Sequence, residues 1–446
     1  MTAEPYDVLI VGGGVSGTAL LYQLTRYTDI QRIALLEKYD SLAQVNSRSS
    51  NNSQTIHCGD IETNYSLEKA LKVQRTAAML VNYAQSLPAQ ERDTIIFKHS
   101  KMVLGVGARE CQFLRQRFDV FSKHYSGMRL MEKDQIAELE PQVVAGRQGA
   151  QDEELVALAV VDEYTAVDFQ TLSDSFVRQA KASGRDPAVH MNTKVEKMSQ
   201  EDNGLYRVHT NRGDFVTRSL VVSAGGHSLL FAQQMGFGLN FSCLPVAGSF
   251  YFTPAVLKGK VYTVQNDKLP FAAIHGDPDV CVPGKTRFGP TALLLPMLER
   301  YNSSTIPEFF KVLRLDASVL KVLWDLMRIA DIRNYIFRNF LLEVPFVRRL
   351  LFLRDARKIV PGLKLSDISF AKRFGGVRPQ LIDKENKKLM LGEARIAPGQ
   401  GLIFNMTPSP GGTSCLGNAE KDLRELVAFL GAKFDENSFR QELENS

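Results

Sequence analysis

The first forty residues show the most regular pattern of hydrophobic and polar positions in the chain. Residues 8–11 form a continuous apolar run, which predicts a strand buried on both faces of a parallel sheet. A glycine-rich turn and an apolar helical segment follow, and a second apolar run, Ile33–Leu36, predicts the neighbouring strand. The order strand, turn, helix and strand is that of the first unit of a doubly wound α/β fold.

Three glycines at the first turn indicate what this unit binds. Gly12, Gly14 and Gly17 have the G-x-G-x-x-G spacing between strand and helix. Such glycines make a tight turn, let a pyrophosphate approach the backbone and let the helix pack closely on the strand. Glu37 follows the second strand, where an acidic residue binds ribose hydroxyls. The motif therefore predicts a dinucleotide site.

Two later segments favour FAD over NAD. Residues 193–228 alternate as short antiparallel strands around the turns DNG and NRGD, and the last strand ends in a second glycine turn. Flavoproteins of the glutathione-reductase type have this meander. Near the C-terminus, the glycines of PSPGGTS open a helix whose N–H groups would face an anion such as the edge of a reduced flavin. We expect non-covalent FAD at Gly12, Gly14, Ser16, Gly17, Glu37, Lys38, Ser53, Thr55, Val195, Ala224, Gly225, Gly411, Gly412, Thr413 and Ser414.

The length of 446 residues favours two domains. We predict an α/β fold with a glutathione-reductase-type Rossmann FAD-binding domain and a discontinuous α+β substrate domain. Segment 160–184 is predicted to be a helix of the FAD-binding domain, with Thr165 or Asp168 as its cap and Gly184 as its stop. The predicted FAD-binding domain comprises residues 1–90, 150–235 and 365–446, and the substrate domain comprises residues 91–149 and 236–364.

Composition and charge exclude several classes of protein. The chain is 44% hydrophobic and 23% charged, as is usual for a soluble globular protein. It has no run of eighteen apolar residues, and its start lacks the features of a secretory signal. The five cysteines are scattered without a paired spacing, so we expect free thiols in a reducing cytoplasm and no metal site. A net charge of +5 without a basic, aromatic-interleaved stripe argues against nucleic acid as a partner.

One segment departs from this average charge. Residues 309–358 hold eleven Lys or Arg against five Asp or Glu, a net +6. Basic residues beside an apolar, aromatic face are typical of a helix that lies on a membrane surface, although such helices also pack on their own domain. The apolar residues at roughly helical spacing are Val312, Leu315, Leu320, Leu323, Trp324, Met327 and Ile329.

With these motifs the chain resembles the FAD-dependent malate:quinone oxidoreductases, within the flavoprotein superfamily of D-amino-acid oxidase and glycerol-3-phosphate dehydrogenase. The resemblance covers nearly the whole chain, and "HCGDIETNY" and "FGPTALLLPMLER" are its most specific segments. It implies oxidation of (S)-malate to oxaloacetate, with electrons passing through FAD to a membrane quinone at the cytoplasmic face. An L-2-hydroxyglutarate or other L-2-hydroxyacid dehydrogenase or oxidase is the alternative, because those enzymes share an IHxG pattern at His57.

The chemistry of such an oxidation sets the candidate catalytic residues. A hydroxyl proton must leave to a base that is neutral near pH 7, and imidazole fits best. His57, on the expected cofactor loop, and His275, in the second domain, are both candidates. A buried dianion needs arginine partners, and Arg378 and Arg287 stand in turns rich in Gly and Pro. Gln54 is a candidate neutral donor to the substrate.

Overall fold

The computed structural model describes residues 4–147, 153–265, 274–390, 394–407 and 410–445. The strands are β1 (Tyr6–Val11), β2 (Ile33–Leu36), β3 (Ile96–Lys98), β4 (Lys101–Val106), β5 (Arg129–Glu132), β6 (Leu155–Val160), β7 (Tyr164–Val167), β8 (Ala188–His190), β9 (Val195–Gln200), β10 (Tyr206–Thr210), β11 (Gly213–Val222), β12 (Phe241–Ala247), β13 (Tyr251–Pro254), β14 (Lys260–Thr263), β15 (His275–Pro278), β16 (Lys285–Gly289), β17 (Leu293–Leu294), β18 (Ser369–Phe370), β19 (Val377–Asp383), β20 (Lys388–Met390), β21 (Ala394–Gly399) and β22 (Leu402–Met406).

The helices are α1 (Val15–Tyr27), α2 (Leu67–Gln85), α3 (Ala89–Ile95), α4 (Ala108–Phe121), α5 (Lys133–Leu139), α6 (Pro141–Val144), α7 (Phe169–Ala182), α8 (Gly226–Gln234), α9 (Ile306–Leu313), α10 (Ala317–Arg328), α11 (Ala330–Leu341), α12 (Val347–Ile359), α13 (Cys415–Leu430) and α14 (Glu436–Leu443). Two short 3₁₀ turns, Ser49–Asn51 and Ser303–Thr305, complete the regular structure.

A mainly parallel sheet carries the first unit of the fold. Its order is β21-β22-β11-β1-β2-β8, and only β21 on this path runs antiparallel to its neighbour. Val8 lies opposite Ile33 on one side and Ser219 on the other, so β1 is central and buried on both faces, as its apolar run predicts. The antiparallel strands β9 and β10 extend from β11, which confirms the predicted three-stranded meander.

Helices α1, α2, α7 and α13 cover one face of this sheet and form the largest apolar core. The sequence fixes the start of α7, because the Asp168 carboxylate accepts hydrogen bonds from the N–H groups of Gln170 and Thr171. This is an N-cap, and Asp168 rather than Thr165 provides it. The helix ends at Ala182, two residues before Gly184, which adopts a positive φ of 80°.

Three further sheets lie in the described part of the chain. The largest has the order β18-β13-β16-β15-β14-β4-β6-β5, a four-stranded sheet has the order β17-β12-β19-β20, and β3 pairs with β7 as a two-stranded sheet. The predicted domain edges differ from this pairing, since β6, β18, β19 and β20 join these sheets although residues 150–235 and 365–446 were assigned to the FAD-binding domain. An apolar strand pattern indicates burial but not the sheet that the strand joins.

The basic segment 309–358 folds into four consecutive helices, α9 to α12, rather than one. Val312 points into the core with Phe309 and Val319, which corrects its assignment to an exposed apolar face. The other residues of the predicted face are exposed, except Leu323, which is partly buried. Within the described part of the chain, no helix is both long and apolar enough to cross a membrane.

Candidate functional site

A cavity of about 490 Å³ opens where β1, β2 and β11 end. Ligands of doubly wound sheets bind at this edge, outside the carboxyl ends of the strands. The predicted residues that line the cavity are Gly12, Gly14, Ser16, Glu37, Lys38, Ser53, Thr55, His57, Val195, Ala224, Gly225, Arg378, Gly411, Gly412 and Thr413. The structure therefore brings together segments from both ends of the chain and from its middle.

The N-terminus of α1 forms one wall of the cavity. Gly14 is its N-cap residue and supplies no side-chain cap, so the first turn presents backbone N–H groups and the positive end of the helix dipole. One of them, the N–H of Val15, donates to Ser47 Oγ at 3.0 Å. Gly17 does not line the cavity. It packs against the turn instead, and a Cβ there would lie 2.0 Å from the Gly12 carbonyl oxygen. Its lack of a side chain lets the helix pack on the turn.

Glu37 closes the same wall from the end of β2. Its carboxylate accepts hydrogen bonds from the N–H of Gly13 at 2.8 Å and of Tyr39 at 2.9 Å. Burial raises the pKa of Glu37, and the two backbone N–H donors act against that rise. The neighbouring Lys38 forms an ion pair with Glu299, which also lines the cavity. These residues give the cavity a polar end suited to a ribose and its phosphates.

A second helix N-terminus faces the cavity from the opposite end of the chain. Gly411, Gly412 and Thr413 line it immediately before α13. Thr413 joins two segments, since its hydroxyl accepts from the N–H of His57 at 3.1 Å and donates to the carbonyl of Thr55 at 3.3 Å. Ser414 is buried behind the wall and does not line the cavity. Two helix dipoles directed at one cavity fit a ligand with negative charge at two separate places, as FAD has on its pyrophosphate and, when reduced, on its flavin ring.

His57 lies in the loop that follows the turn Ser49–Asn51 and lines the cavity. Its Nδ1 is 2.9 Å from Oε1 of Glu62. Glu62 is buried, which raises its pKa, but the charge of Lys101 and the hydrogen bond with His57 outweigh burial and hold the pKa to about 2. Glu62 is therefore ionised. No sequence motif points to Glu62, although it stands only five residues after His57.

Arg378 lines the cavity from the start of β19. The preceding glycines allow this position, because a Cβ on Gly375 would lie 1.8 Å from the Gly248 carbonyl oxygen and one on Gly376 would lie 2.6 Å from that of Asn51. Burial lowers the pKa of Arg378, and the groups that act against this are tyrosines rather than carboxylates. Among the residues that the structure describes, Arg378 is thus a largely buried cation without an acidic partner.

Arg287 does not line the cavity, although the sequence analysis expected it to bind substrate. It is fully buried in β16, directly opposite Asp277 of β15. Its guanidinium lies 3.3 Å from Asp277 and 3.2 Å from Asp279 and stacks on the ring of Phe250. Two carboxylates already balance its charge, so we assign it to the interior of the large sheet and not to the substrate.

His275 and Gln54 also lie outside the cavity lining. The buried His275 imidazole stacks on Tyr262, with ring centroids 4.4 Å apart, and its Nε2 is 3.2 Å from Asp277. Gln54 braces a turn, since its side chain donates to the Ser49 carbonyl at 3.0 Å and accepts from the N–H of Val280 at 3.1 Å. Of the two candidate bases, the structure brings only His57 to the cavity.

Several lining residues escaped the sequence analysis. Asn46 and Ser47 belong to a polar run after β2, and Asn46 Oδ1 accepts from the N–H of Val377 at 3.0 Å. His227 lines the far end of the cavity and its Nε2 lies 2.8 Å from Glu308 of α9. The run "QVNSRSSNNS" carries a usable signal, because so many amide and hydroxyl side chains in a row after a buried strand indicate a ligand-binding loop.

Comparison with known proteins decides the family. A family model described as malate:quinone oxidoreductase matches residues 4–303. A probable malate:quinone oxidoreductase of Campylobacter jejuni is 50% identical over 99% of this chain and 100% of its own, and a malate:quinone oxidoreductase of Helicobacter pylori is 43% identical over 98% of both chains. The chain belongs to the malate:quinone oxidoreductase family. This confirms the family and the enzyme class that the sequence motifs predicted.

More distant matches bear on the fold and on the alternative function. A mitochondrial L-2-hydroxyglutarate dehydrogenase of Nematostella vectensis is 25% identical over 93% of this chain and 89% of its own. Among solved structures, an L-α-glycerophosphate oxidase of Mycoplasma pneumoniae with FAD bound has a TM-score of 0.63 at 20% identity, covering 97% of this chain and 96% of that one. A glycine oxidase of Geobacillus kaustophilus has a TM-score of 0.66 at 16% identity, covering 96% and 95%. These structures confirm the predicted fold class.

Proposed function

We propose that this member of the family oxidises (S)-malate to oxaloacetate with non-covalently bound FAD and passes the electrons to a membrane quinone. The observation that carries the proposal is that His57 and Arg378 line the cavity that the glycine turn of β1 opens. A base and an unpaired cation at one dinucleotide site are what a 2-hydroxy acid needs.

Arg378 is the proposed partner of a substrate carboxylate. A buried guanidinium without a carboxylate is costly, and an anionic ligand offsets that cost by supplying the missing charge. Its planar donors bind a carboxylate through two hydrogen bonds, which also fixes the orientation of the substrate. No second arginine is assigned, since Arg287 is occupied by Asp277 and Asp279.

His57 is the proposed general base. The bound FAD supplies the acceptor for the hydride, and the chain must take the hydroxyl proton. The Thr413 hydroxyl and the Glu62 carboxylate hold the backbone and the ring of His57, so the base is placed before the substrate arrives. His275, buried against Tyr262, is not part of the proposal.

Anaerobic reduction of the bound flavin by malate, lactate and L-2-hydroxyglutarate tests the substrate. We expect malate to reduce it fastest and lactate slowest, because lactate carries only one of the two carboxylates of the proposed substrate. Reduction by L-2-hydroxyglutarate with none by malate would replace this proposal with the alternative L-2-hydroxyacid dehydrogenase. The same experiment with a quinone analogue and with oxygen as acceptors separates a dehydrogenase from an oxidase.

We further propose that α9 to α12 bring the enzyme to the surface of the membrane, on its cytoplasmic face. Eleven of the sixteen exposed large apolar side chains among the described residues lie in segment 309–358. Trp324 is 66% exposed and Phe346 is 95% exposed. Glu308 and Lys311 of α9 line the cavity, so this element also borders the cofactor site. A quinone confined to the bilayer would meet the enzyme here.

Flotation with anionic vesicles tests this surface. Lys321, Arg328 and Arg354 are exposed, whereas Arg348 stacks on Phe370 and Arg349 donates to the Leu365 carbonyl, which makes the last two poorer probes. Each basic side chain near an anionic leaflet contributes about 1 kcal/mol, so the triple Gln variant should bind about 100-fold more weakly at low salt.

The control is an equal loss of charge elsewhere, made by changing the exposed Lys123, Lys181 and Lys433 to Gln. We expect it to bind vesicles as the parent does. A third variant, Trp324→Ser with Phe346→Ser, should bind more weakly at every salt concentration, because it removes apolar contacts that salt does not screen. Failure of the parent to bind vesicles at any salt concentration refutes the membrane proposal and leaves the substrate proposal intact.

A further inference from the structure

A cluster of charged side chains lies next to His57, on the same loop and on the adjacent strand β4. Lys101 of β4 is fully buried, and its Nζ donates to Asp60 Oδ1 at 2.8 Å. Asp60 raises the pKa of Lys101 well above its usual value in spite of burial, so the ammonium stays charged. Glu62 follows on the same loop, and the charge of Lys101 helps to keep it ionised. Lys101 belongs to the large sheet, and none of the three residues lines the cavity.

Helix α4 fixes the backbone of Glu62. The Arg117 guanidinium donates to the Glu62 carbonyl at 2.8 Å and to the Tyr65 carbonyl at 3.1 Å, and it lies 3.6 Å from the centre of the Phe121 ring. The Glu62 carboxylate lies in the field of the Lys101 charge, and its Oε1 is 2.9 Å from His57 Nδ1. Helix α4 thus fixes the backbone of Glu62, and β4 supplies the charge that helps to keep its carboxylate ionised.

An ionised carboxylate can only accept hydrogen bonds. The hydrogen between Glu62 and His57 therefore belongs to Nδ1 of the imidazole, and a neutral ring with its proton on Nδ1 has a lone pair on Nε2. A carboxylate in this position orients the ring and stabilises the imidazolium that forms when the ring takes a second proton.

We infer that Glu62 is a positioning residue for the reaction: it holds His57 as the Nδ1–H tautomer and leaves Nε2 to accept the hydroxyl proton of the substrate. The inference rests on the proposed function, in which His57 is the base. In the balanced step the substrate O–H bond breaks and its proton goes to Nε2. The electron pair left on oxygen forms the carbonyl as the C–H bond breaks and its hydride leaves to the bound FAD. The Nδ1 proton stays with His57.

The tautomer can be observed without catalysis. In FAD-loaded protein with ¹⁵N-labelled histidine, two-dimensional NMR distinguishes a protonated ring nitrogen from an unprotonated one, and the signals absent from His57→Asn identify His57. At a pH where the ring is neutral we expect a protonated Nδ1 and an unprotonated Nε2. The opposite pattern in the parent protein overturns the inference, whatever any variant does.

The Glu62→Gln variant tests the consequence for rate. A Gln amide can donate to Nδ1 as well as accept from it, so the ring is no longer held in one tautomer. We expect flavin reduction at saturating malate to slow by about 10²–10⁴-fold, the range of a lost general base. The dissociation constant of malate and the FAD content should stay close to those of the parent, because Glu62 does not line the cavity. Glu62→Asp keeps the charge and should restore part of the rate.

The chain offers a matched control. His209 Nδ1 and Asp214 lie 2.9 Å apart in the hairpin of β10 and β11, outside the cavity, and Asp214→Asn should reduce flavin at the parent rate. Parent-like reduction in both His57→Asn and Glu62→Gln means that His57 is not the base, so the proposed function fails in that respect. Parent-like reduction in Glu62→Gln alone refutes only the positioning role. A fall in FAD content with an unchanged rate per bound flavin also refutes it, because that is the result of a purely structural carboxylate.

Discussion

Replacing Arg378 with Met should weaken substrate binding and at the same time stabilise the substrate-free protein. The side chain is a largely buried cation, its pKa is lowered by burial, and the described residues give it no carboxylate. Met fills similar space without a charge. Removing one member of a buried charged pair costs about 2–5 kcal/mol of binding, because the other charge stays unpaired. At 1.4 kcal/mol per factor of ten, the dissociation constant of malate should rise about 30- to 4,000-fold.

The gain in stability has the same origin. The folded protein without substrate keeps a desolvated guanidinium, and Met removes that penalty, which should raise the free energy of unfolding by at least about 1 kcal/mol. Scanning calorimetry of the FAD-loaded protein, with and without malate, measures both effects. A saturating ligand at 100 times its dissociation constant stabilises a protein by about 2.7 kcal/mol, so the parent should show a clear rise in melting temperature with malate. At the same malate concentration the variant should show at most about a third of that stabilisation, because its dissociation constant is at least about 30-fold higher.

Arg287→Met is the matched comparison. Arg287 is fully buried, whereas Arg378 keeps part of its surface exposed, and Arg287 pairs with Asp277 and Asp279. Breaking a buried ion pair leaves charge uncompensated and destabilises a protein by about 3–5 kcal/mol. This variant should melt at a lower temperature and still respond to malate. If Arg378→Met also melts at a lower temperature and binds malate as the parent does, Arg378 is a structural cation and the reasoning fails.

Three other predictions follow from the site. Gly14→Val places a side chain on the cavity wall at the N-terminus of α1 and should yield protein without flavin absorbance, and a fully flavinated variant would contradict the cofactor site. His57→Asn should slow flavin reduction by about 10²–10⁴-fold, whereas His275→Asn should lower the melting temperature and leave the rate per bound flavin unchanged. The pKa of Glu62 falls from 4.5 to about 2 on folding, so its contribution to stability is complete above pH 4.5 and is lost as the pH falls toward 2. Acid unfolding followed by circular dichroism should therefore be steeper in this range for the parent than for Glu62→Gln, and equal slopes would contradict the assignment.

The sequence was most informative where local chemistry and chain order determine the structure. The turn at Gly12 and Gly14 and the strand Ile33–Leu36 follow from periodicity and from the conformations open to glycine, and the structure has them as predicted. The cap at Asp168 follows from the same kind of local rule.

The charge partners of buried side chains could not be predicted, because they depend on which strands pair in the fold. Arg287 stands in a turn-rich segment that resembles a ligand-binding loop, yet it lies in β16 opposite Asp277. The sequence did contain a signal for this pairing. A turn at Gly284, which has a positive φ, joins β15 to β16 and brings Asp277 opposite Arg287. The pairing of Glu62 with His57 was equally local, but the charge that keeps Glu62 ionised comes from β4, and only the fold brings it there.

Two hydrogen bonds join the segment that carries Arg378 to the loop that leads to His57. The N–H of Val377 donates to Asn46 Oδ1 at 3.0 Å, and that of Gly375 donates to the Ser50 carbonyl at 2.9 Å. These bonds set the spacing of the proposed cation and the proposed base without the help of wall side chains such as Phe250. Substitution of wall residues such as Phe250 and Pro290 would therefore change the volume open to a hydroxy acid and leave the two proposed groups in place. On this scaffold a change of substrate length needs a new wall and not a new pair of reacting groups.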